Sequence, residues 1–135
     1  MIWWNIYFCI YTVIMVFATI GFFVSFSSLK LGDWIGIILF ISLYLSTYAY
    51  VFNKKSILET KWWATIFWVN IILLVEGLLD LYILNGAIEN ALPFLKSGLT
   101  VTNNEVILNT LLTLPALYAT YLLGNIQNFS TKAKK

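Results

Sequence analysis

Two carboxylates, Glu76 and Asp80, lie within an otherwise apolar segment of the chain. A charged side chain at the centre of a bilayer costs about 3 kcal/mol on insertion scales, so such residues mark functional sites by default. Four residues apart, the two share one helix face. Glu76 would lie roughly 12 Å below the outer end of a helix that ends near Leu84. Because neighbouring like charges do not ionise together easily, the pair is a candidate site for a proton or a cation arriving from the outer side.

A structural role explains the same two residues. Lys30 and Lys96 fall on the side of the membrane to which Asp80 is assigned, and either lysine could pair with it. Glu76 would then be hydrogen-bonded to hydroxyls or amides of neighbouring helices. The sequence leaves both interpretations open.

Other chemistries lack the residues that they need. The chain has no histidine, its eight basic residues are all lysines, and its single cysteine is Cys9. Histidine-ligated metals, histidine acid–base catalysis and an intrachain disulfide are therefore excluded. The sequence also lacks a phosphate-binding glycine loop, a dinucleotide fingerprint and a metal-ligand cluster. We expect no enzyme activity, no cofactor, no metal site and no nucleic-acid partner.

The elements that position these residues are predicted from hydropathy. Hydrophobic residues make up 61% of the 135 residues and charged residues only 10%, whereas soluble domains carry about 25% charged residues. Apolar segments occupy residues 3–26, 34–52, 62–84 and 106–123, each near the roughly 20 residues that span a bilayer. Continuous runs without alternation favour helices over a barrel. We predict one all-α domain over residues 1–135, an integral membrane bundle of four transmembrane helices. A short interfacial helix is expected at 87–92 and a mobile polar tail at 124–135.

Lysine placement predicts the orientation. The second connection holds Lys54, Lys55 and Lys61, and the tail holds three more lysines, whereas the first and third connections hold one each. The positive-inside rule then places the second connection, the tail and both termini in the cytoplasm. Tryptophans that we expect as anchors at the cytoplasmic interface are Trp3, Trp4, Trp62, Trp63 and Trp68.

Small and polar residues recur on two of the predicted helices. Such faces let helix backbones approach closely and let hydroxyls and amides bond across helices. Ordinary helix packing is the favoured interpretation, and a polar path towards the two acids is the alternative. The helix-contact candidates are Ser42, Ser46, Ala49, Asn109, Thr113, Ala116 and Thr120.

The two halves of the chain share a weak internal similarity. Predicted helices 1 and 3 both open with a Trp-Trp pair, and helices 2 and 4 both carry Tyr-Ala, at Tyr48-Ala49 and at Tyr118-Ala119. This is the pattern of a duplicated helical hairpin with a parallel repeat. Interfacial aromatics placed twice by the same physics give the same pattern.

The helix pattern resembles that of small, uncharacterised four-helix proteins of the bacterial inner membrane. The residues that carry the resemblance are Tyr48-Ala49-Tyr50 before Lys54-Lys55, the pair Trp62-Trp63, and Pro115 before Tyr118-Ala119. The resemblance implies the fold and a bacterial inner-membrane location, and it implies no activity.

Two functions follow as hypotheses. The first is a non-enzymatic membrane protein that acts through helix contacts, as an accessory subunit or as an immunity-type protein against a membrane-acting partner. Its partners would be the lipid bilayer and either another protein or further copies of itself. The second is a small oligomeric transporter or channel, coupled to protons or cations, that uses Glu76 and Asp80.

Overall fold

The part of the chain that the structure describes folds into four long helices and one short helix. A computed structural model describes residues 2–54, 57–84, 87–92 and 103–132. The elements are α1 (Ile2–Ser25), a 3-10 turn (Phe26–Ser28), α2 (Leu31–Val51), α3 (Thr60–Tyr82), α4 (Ala87–Ala91) and α5 (Asn103–Lys132). The four long helices are all long and apolar enough to cross a membrane. The predicted all-α bundle with four spans is therefore confirmed, as is a short helix near residues 87–92.

The last helix is longer than hydropathy predicts. Residues 124–132 were expected to belong to a polar tail, but α5 continues to Lys132. The apolar run ends near Leu123, and hydropathy marks where a helix leaves lipid rather than where its backbone hydrogen bonds stop. Nothing in the sequence from Asn125 to Lys132 breaks a helix, because this segment contains neither proline nor glycine.

Helix α5 is packed between α2 and α3. Gly124, near the end of α5, lies against Ala64, near the start of α3, so these two helices are antiparallel. The ring of Phe8 in α1 lies 5.4 Å from the ring of Phe52, which directly follows α2. The bundle thus has two ends, which we name by their charges. Lys54 and Lys61 lie at the lysine end, and Asp33, Glu76, Asp80 and Glu105 lie towards the acidic end.

The core of the bundle is confined to the half nearer the lysine end. One buried cluster joins Tyr11, Leu43, Ala116 and Leu117. The other joins Ala49, Trp63 and Leu123. Trp63 is fully buried and so is not an interfacial anchor, which corrects the expectation from the sequence. Adjacent residues on a helix point about 100° apart, and it is Trp62 of this pair that is exposed.

The bundle opens towards the acidic end. Residues seven apart lie nearly on the same helix face, because seven residues make about two turns. In α5, Leu123 and Ala116 are buried, whereas Asn109, on the same face, is exposed. The same change from buried to exposed occurs from Leu43 to Gly36 in α2.

The third helix shows the same opening. Trp63 and Asn70 are buried, whereas Gly77, seven residues further, is exposed, and a Cβ atom placed on it would meet no neighbour within 4 Å. Asn109, Gly36 and Gly77, which continue the buried faces of three helices into the acidic half, are therefore uncovered, and half-buried residues such as Thr113 lie near them.

The end of α2 is fixed by a left-handed residue. Asn53 has a φ of 53°, a conformation that asparagine and glycine tolerate best. The Lys54 N–H donates to the Ala49 carbonyl at 2.8 Å, and the Asn53 N–H donates to the Tyr50 carbonyl at 3.3 Å. This is the hydrogen-bond pattern of a Schellman motif, which satisfies the last carbonyls of a helix.

Replacing Asn53 tests this turn. We expect Asn53→Val to lower the free energy of unfolding by about 1–2 kcal/mol, because a β-branched residue is strained at positive φ. Asn53→Gly, the matched control, should leave the stability within a few tenths of a kcal/mol. The measurement is the unfolding midpoint in mild detergent titrated with a denaturing detergent. Equal stability of the two variants would contradict the assignment.

Candidate functional site

Asp80 holds the short helix α4 in place. Its carboxylate is almost fully buried, and Oδ1 accepts the backbone N–H of Ile88 at 2.8 Å. A carboxylate at a helix N-terminus satisfies donors that have no partner within the helix and complements the helix dipole. The buried end of α3 is thereby joined to the connection that follows it.

Glu76 differs from Asp80 in its burial. It lies one turn earlier on α3 and is half-buried. The structure therefore brings the two predicted acids onto neighbouring turns of one helix, as their spacing requires, with Asp80 bonded to the backbone of α4.

Lys30 and Lys96 were the lysines predicted as partners for Asp80. Lys30 directly precedes α2, and its backbone N–H donates to Asp33 Oδ2 at 2.7 Å. Lys96 lies outside the described residues. Within the described part of the chain, an ion pair joins Lys61 Nζ to Glu59 Oε2 at 2.8 Å, with both side chains largely exposed at the lysine end.

Four of the helix-contact candidates are buried on α2 and α5, and two of them bond across the two helices. Ser46, Ala49, Ala116 and Thr120 are all fully buried. Thr120 Oγ1 lies 2.6 Å from Ser46 Oγ and 2.8 Å from the Ala116 carbonyl. Ser46 Oγ in turn donates to the Leu43 carbonyl at 2.8 Å. Each hydroxyl thus has a partner without water, and small side chains let the two helices approach closely.

The remaining candidates lie nearer the acidic end and are less covered. Ser42 is half-buried and donates to the Leu39 carbonyl at 2.6 Å. Thr113 is half-buried and donates to the Thr110 carbonyl at 2.9 Å. Asn109 is exposed, and none of the described residues forms a hydrogen bond with its side chain. The predicted face is therefore buried in the lysine half, half-buried at Ser42 and Thr113, and exposed at Asn109.

Asn70 was not singled out from the sequence, although it is the buried amide of α3. It is 7% exposed, and its Nδ2 donates to the Ile66 carbonyl at 2.8 Å and lies 3.5 Å from Ser42 Oγ. An amide within an apolar span was the available signal.

Gly124 was assigned to the tail but lies in a close contact between α5 and α3. A Cβ atom placed on it would lie 3.2 Å from both Cα and N of Ala64. Backbone atoms cannot move aside as a flexible side chain does. The absence of a side chain at Gly124 therefore sets how closely α3 and α5 approach.

An aromatic seam attaches α1 to the rest of the bundle. Trp4 stacks on Tyr118 with the ring centroids 6.4 Å apart and lies edge-on to Tyr50 at 4.7 Å. The Tyr7 hydroxyl donates to the Leu112 carbonyl at 2.6 Å. Pro115 has no N–H and leaves the carbonyl of Leu111, four residues earlier, without its helical partner. Tyr7 therefore bonds to the carbonyl next to the one that Pro115 frees, and this bond joins α1 to α5.

The described residues define a polytopic membrane protein whose buried polar side chains bond to other groups of the same chain, mostly to carbonyls of their own helix. Among these residues, no group of three or more cysteine, aspartate and glutamate side chains is arranged to hold a metal ion. Searches of protein-family models, curated proteins and solved structures found no match to this chain.

Two glycines that differ only in their surroundings test the packing of α5. We expect Gly124→Ala to lower the free energy of unfolding by about 1–3 kcal/mol, because the added methyl group overpacks the contact with Ala64. Gly77→Ala adds the same methyl group where no atom lies within 4 Å, and it should be neutral or stabilising because alanine favours helix. Thermal unfolding in detergent measures both. The reverse order of stabilities would show that α3 and α5 do not meet at Gly124.

Proposed function

We propose that this chain is a non-enzymatic polytopic membrane protein that acts through helix contacts with another membrane protein. It would serve as an accessory subunit, or as an immunity-type protein that occupies a membrane-acting partner such as a pore-forming toxin. The proposal rests mainly on how the intramembrane polar groups are used. Ser46, Thr120 and Asp80 bond within the chain, which makes them parts of the scaffold rather than of a solute site.

The lysine half of the bundle is closed to a solute. Tyr11, Ser46, Trp63 and Thr120 are fully buried, so the described helices leave no opening past them in a single chain. A transport path through one bundle would have to cross this layer. This observation supports contact with a partner over transport by a monomer.

The contact surface that we propose is the uncovered surface in the acidic half, with Asn109 at its centre. Asn109 lies about two turns from the start of α5, on the face that becomes buried further along the helix. An amide in this environment gains by bonding to another helix, because lipid offers it no partner. Ser46, Ala49 and Ala116 are already buried within the chain and cannot contact a second protein directly.

We also propose that the lysine end faces the cytoplasm of a bacterium and that the chain lies in the inner membrane. The support is the concentration of lysines at this end, which the positive-inside rule assigns to the cytoplasm. Five of the six acidic residues lie towards the other end, and acidic residues contribute little to the rule.

Labelling in intact cells tests this orientation. In a Cys9→Ala background, we expect Ser28→Cys at the acidic end to react with a membrane-impermeant maleimide and Asn53→Cys at the lysine end to react only after the cells are lysed. Ser28 and Asn53 are both exposed at the ends of spans, so accessibility differs only by the side of the membrane. The opposite pattern would reverse the orientation.

Affinity purification in mild detergent, followed by native mass spectrometry, tests the function. We expect a complex with a different chain, and we expect Asn109→Val to reduce its yield roughly fivefold, as the loss of one neutral hydrogen bond would. Thr65→Val is the control, because Thr65 is exposed on α3 and its hydroxyl bonds within its own helix at 2.9 Å. Glu76→Gln should leave the yield unchanged.

A defined homo-oligomer without a second protein would contradict this proposal and favour the transporter. Glu76 supports that alternative, because it is a half-buried carboxylate within a membrane span. The decisive assay would then be proton or cation flux into liposomes. Flux lost in Glu76→Gln and kept in Ser42→Ala would establish transport.

A further inference from the structure

Two tyrosines on one face of α1 differ in how their hydroxyls are satisfied. Tyr7 and Tyr11 are one turn apart, and their rings stack with centroids 5.5 Å apart. The Tyr7 hydroxyl donates to the Leu112 carbonyl at 2.6 Å. The Tyr11 side chain is fully buried, and its hydroxyl has no hydrogen-bond partner among the described residues. A buried hydroxyl without a partner is destabilising, and surrounding lipid offers it no substitute.

The acceptor that Tyr7 uses is fixed by α5. It belongs to Leu112, whereas the helical bond that Pro115 removes is the one to the Leu111 carbonyl. A movement of α1 by four residues towards the lysine end would bring Tyr11 to the present position of Tyr7. That movement is about 6 Å along the helix axis with a rotation of about 40°.

The side chains that would exchange places are compatible with their new surroundings. Met15 would enter the position of Tyr11 in the core, where a flexible apolar side chain adapts well. Phe8 would replace Trp4 against Tyr50 and Tyr118, so an aromatic residue remains there. Tyr7 would move to the present position of Trp3, which is 81% exposed.

Thr12 would enter the position of Phe8, and its hydroxyl keeps its bond to the Phe8 carbonyl within α1 at 2.8 Å. Val16 would enter the position of Thr12, so the Tyr44 hydroxyl loses the contact of 3.3 Å that it now makes with Thr12 Oγ1.

Helix α1 also has the length and the freedom for such a movement. Its apolar span, including the 3-10 turn, covers 27 residues, against 21, 23 and 22 for the other three spans, and it is the least buried of the four. Without its first four residues, 23 would remain, as many as in the span of α3. The shifted helix therefore still crosses the membrane.

We propose that α1 has two registers against α5, one helical turn apart, in which Tyr7 and Tyr11 alternate as donors to the Leu112 carbonyl. One-turn displacements of packed helices are an established form of two-state switch. The structure shows the register held by Tyr7. In the register held by Tyr11, the start of α1 lies further outwards at the lysine end. A partner that binds at one end of the bundle and favours one register would thereby change the surface exposed at the other end.

Distances between spin labels test the two registers in the full chain, in lipid nanodiscs. The labels replace Val24, exposed at the acidic end of α1, and Thr65, exposed near the lysine end of α3, in a Cys9→Ala background. The second register shortens the distance between the labels by up to about 6 Å. Tyr7→Phe removes the bond of the first register and should raise the proportion of the shorter distance roughly fivefold. Tyr11→Phe should lower that proportion by a similar factor.

Tyr48→Phe is the matched control, because Tyr48 contacts α1 through Phe8 and does not bond to Leu112. It should leave the proportions unchanged. If Tyr7→Phe and Tyr11→Phe both show the same single distance between the labels as the protein with Tyr7 and Tyr11 unchanged, the proposal is overturned. Should Tyr7→Phe fail to fold, Tyr11→Phe decides alone: it removes only an unpaired hydroxyl, and an unaltered proportion of the shorter distance overturns the proposal in the same way.

Discussion

The bundle depends on the close approach of α5 to its two neighbours. Lipid is as apolar as leucine, so helices in a membrane gain little from burying apolar surface, and close packing and hydrogen bonds hold them together. Gly124 provides the close packing against the backbone of Ala64. Thr120 provides the hydrogen bond by reaching Ser46 on α2. Helix α1 adds aromatic contacts to this three-helix unit and is held less firmly.

This dependence explains why one half of the molecule is closed and the other open. The small residues of α5 are concentrated after Pro115, at Ala116, Ala119, Thr120 and Gly124. Before Pro115, the large apolar residues of the same helix are mostly exposed, namely Ile107, Leu108, Leu111 and Leu114. On α2 and α3, Gly36 and Gly77 lie on inward faces but have no partner helix against them. The pattern of small residues thus sets where the helices meet.

Hydropathy predicted the number and type of the long helices because a membrane span needs a minimum length of apolar sequence. It could not predict which apolar residues are buried, because residues that face lipid and residues that face other helices have the same composition. Trp63 and Trp62 illustrate this, since they are chemically identical and only the first is in the core. Gly124 was missed for a related reason: the end of an apolar run was taken as the end of the helix. The burial of Ser46, Ala49, Ala116 and Thr120 follows from spacing, whereas the exposure of Asn109 follows from the opening of the bundle.

The hydrogen bonds of the polar side chains distinguish α1 from the other three long helices. Most serine and threonine hydroxyls of the described spans bond to a carbonyl three or four residues earlier, as Thr19 does with Met15 at 2.7 Å, so they place no demand on a neighbouring helix. The Tyr7 hydroxyl is different, because it reaches across to a carbonyl of α5. A bond between helices fixes their relative register only when one donor can make it, and Tyr11, one turn away, is an equivalent donor on the same face. The helix with the weakest packing is therefore also the helix whose register is least specified.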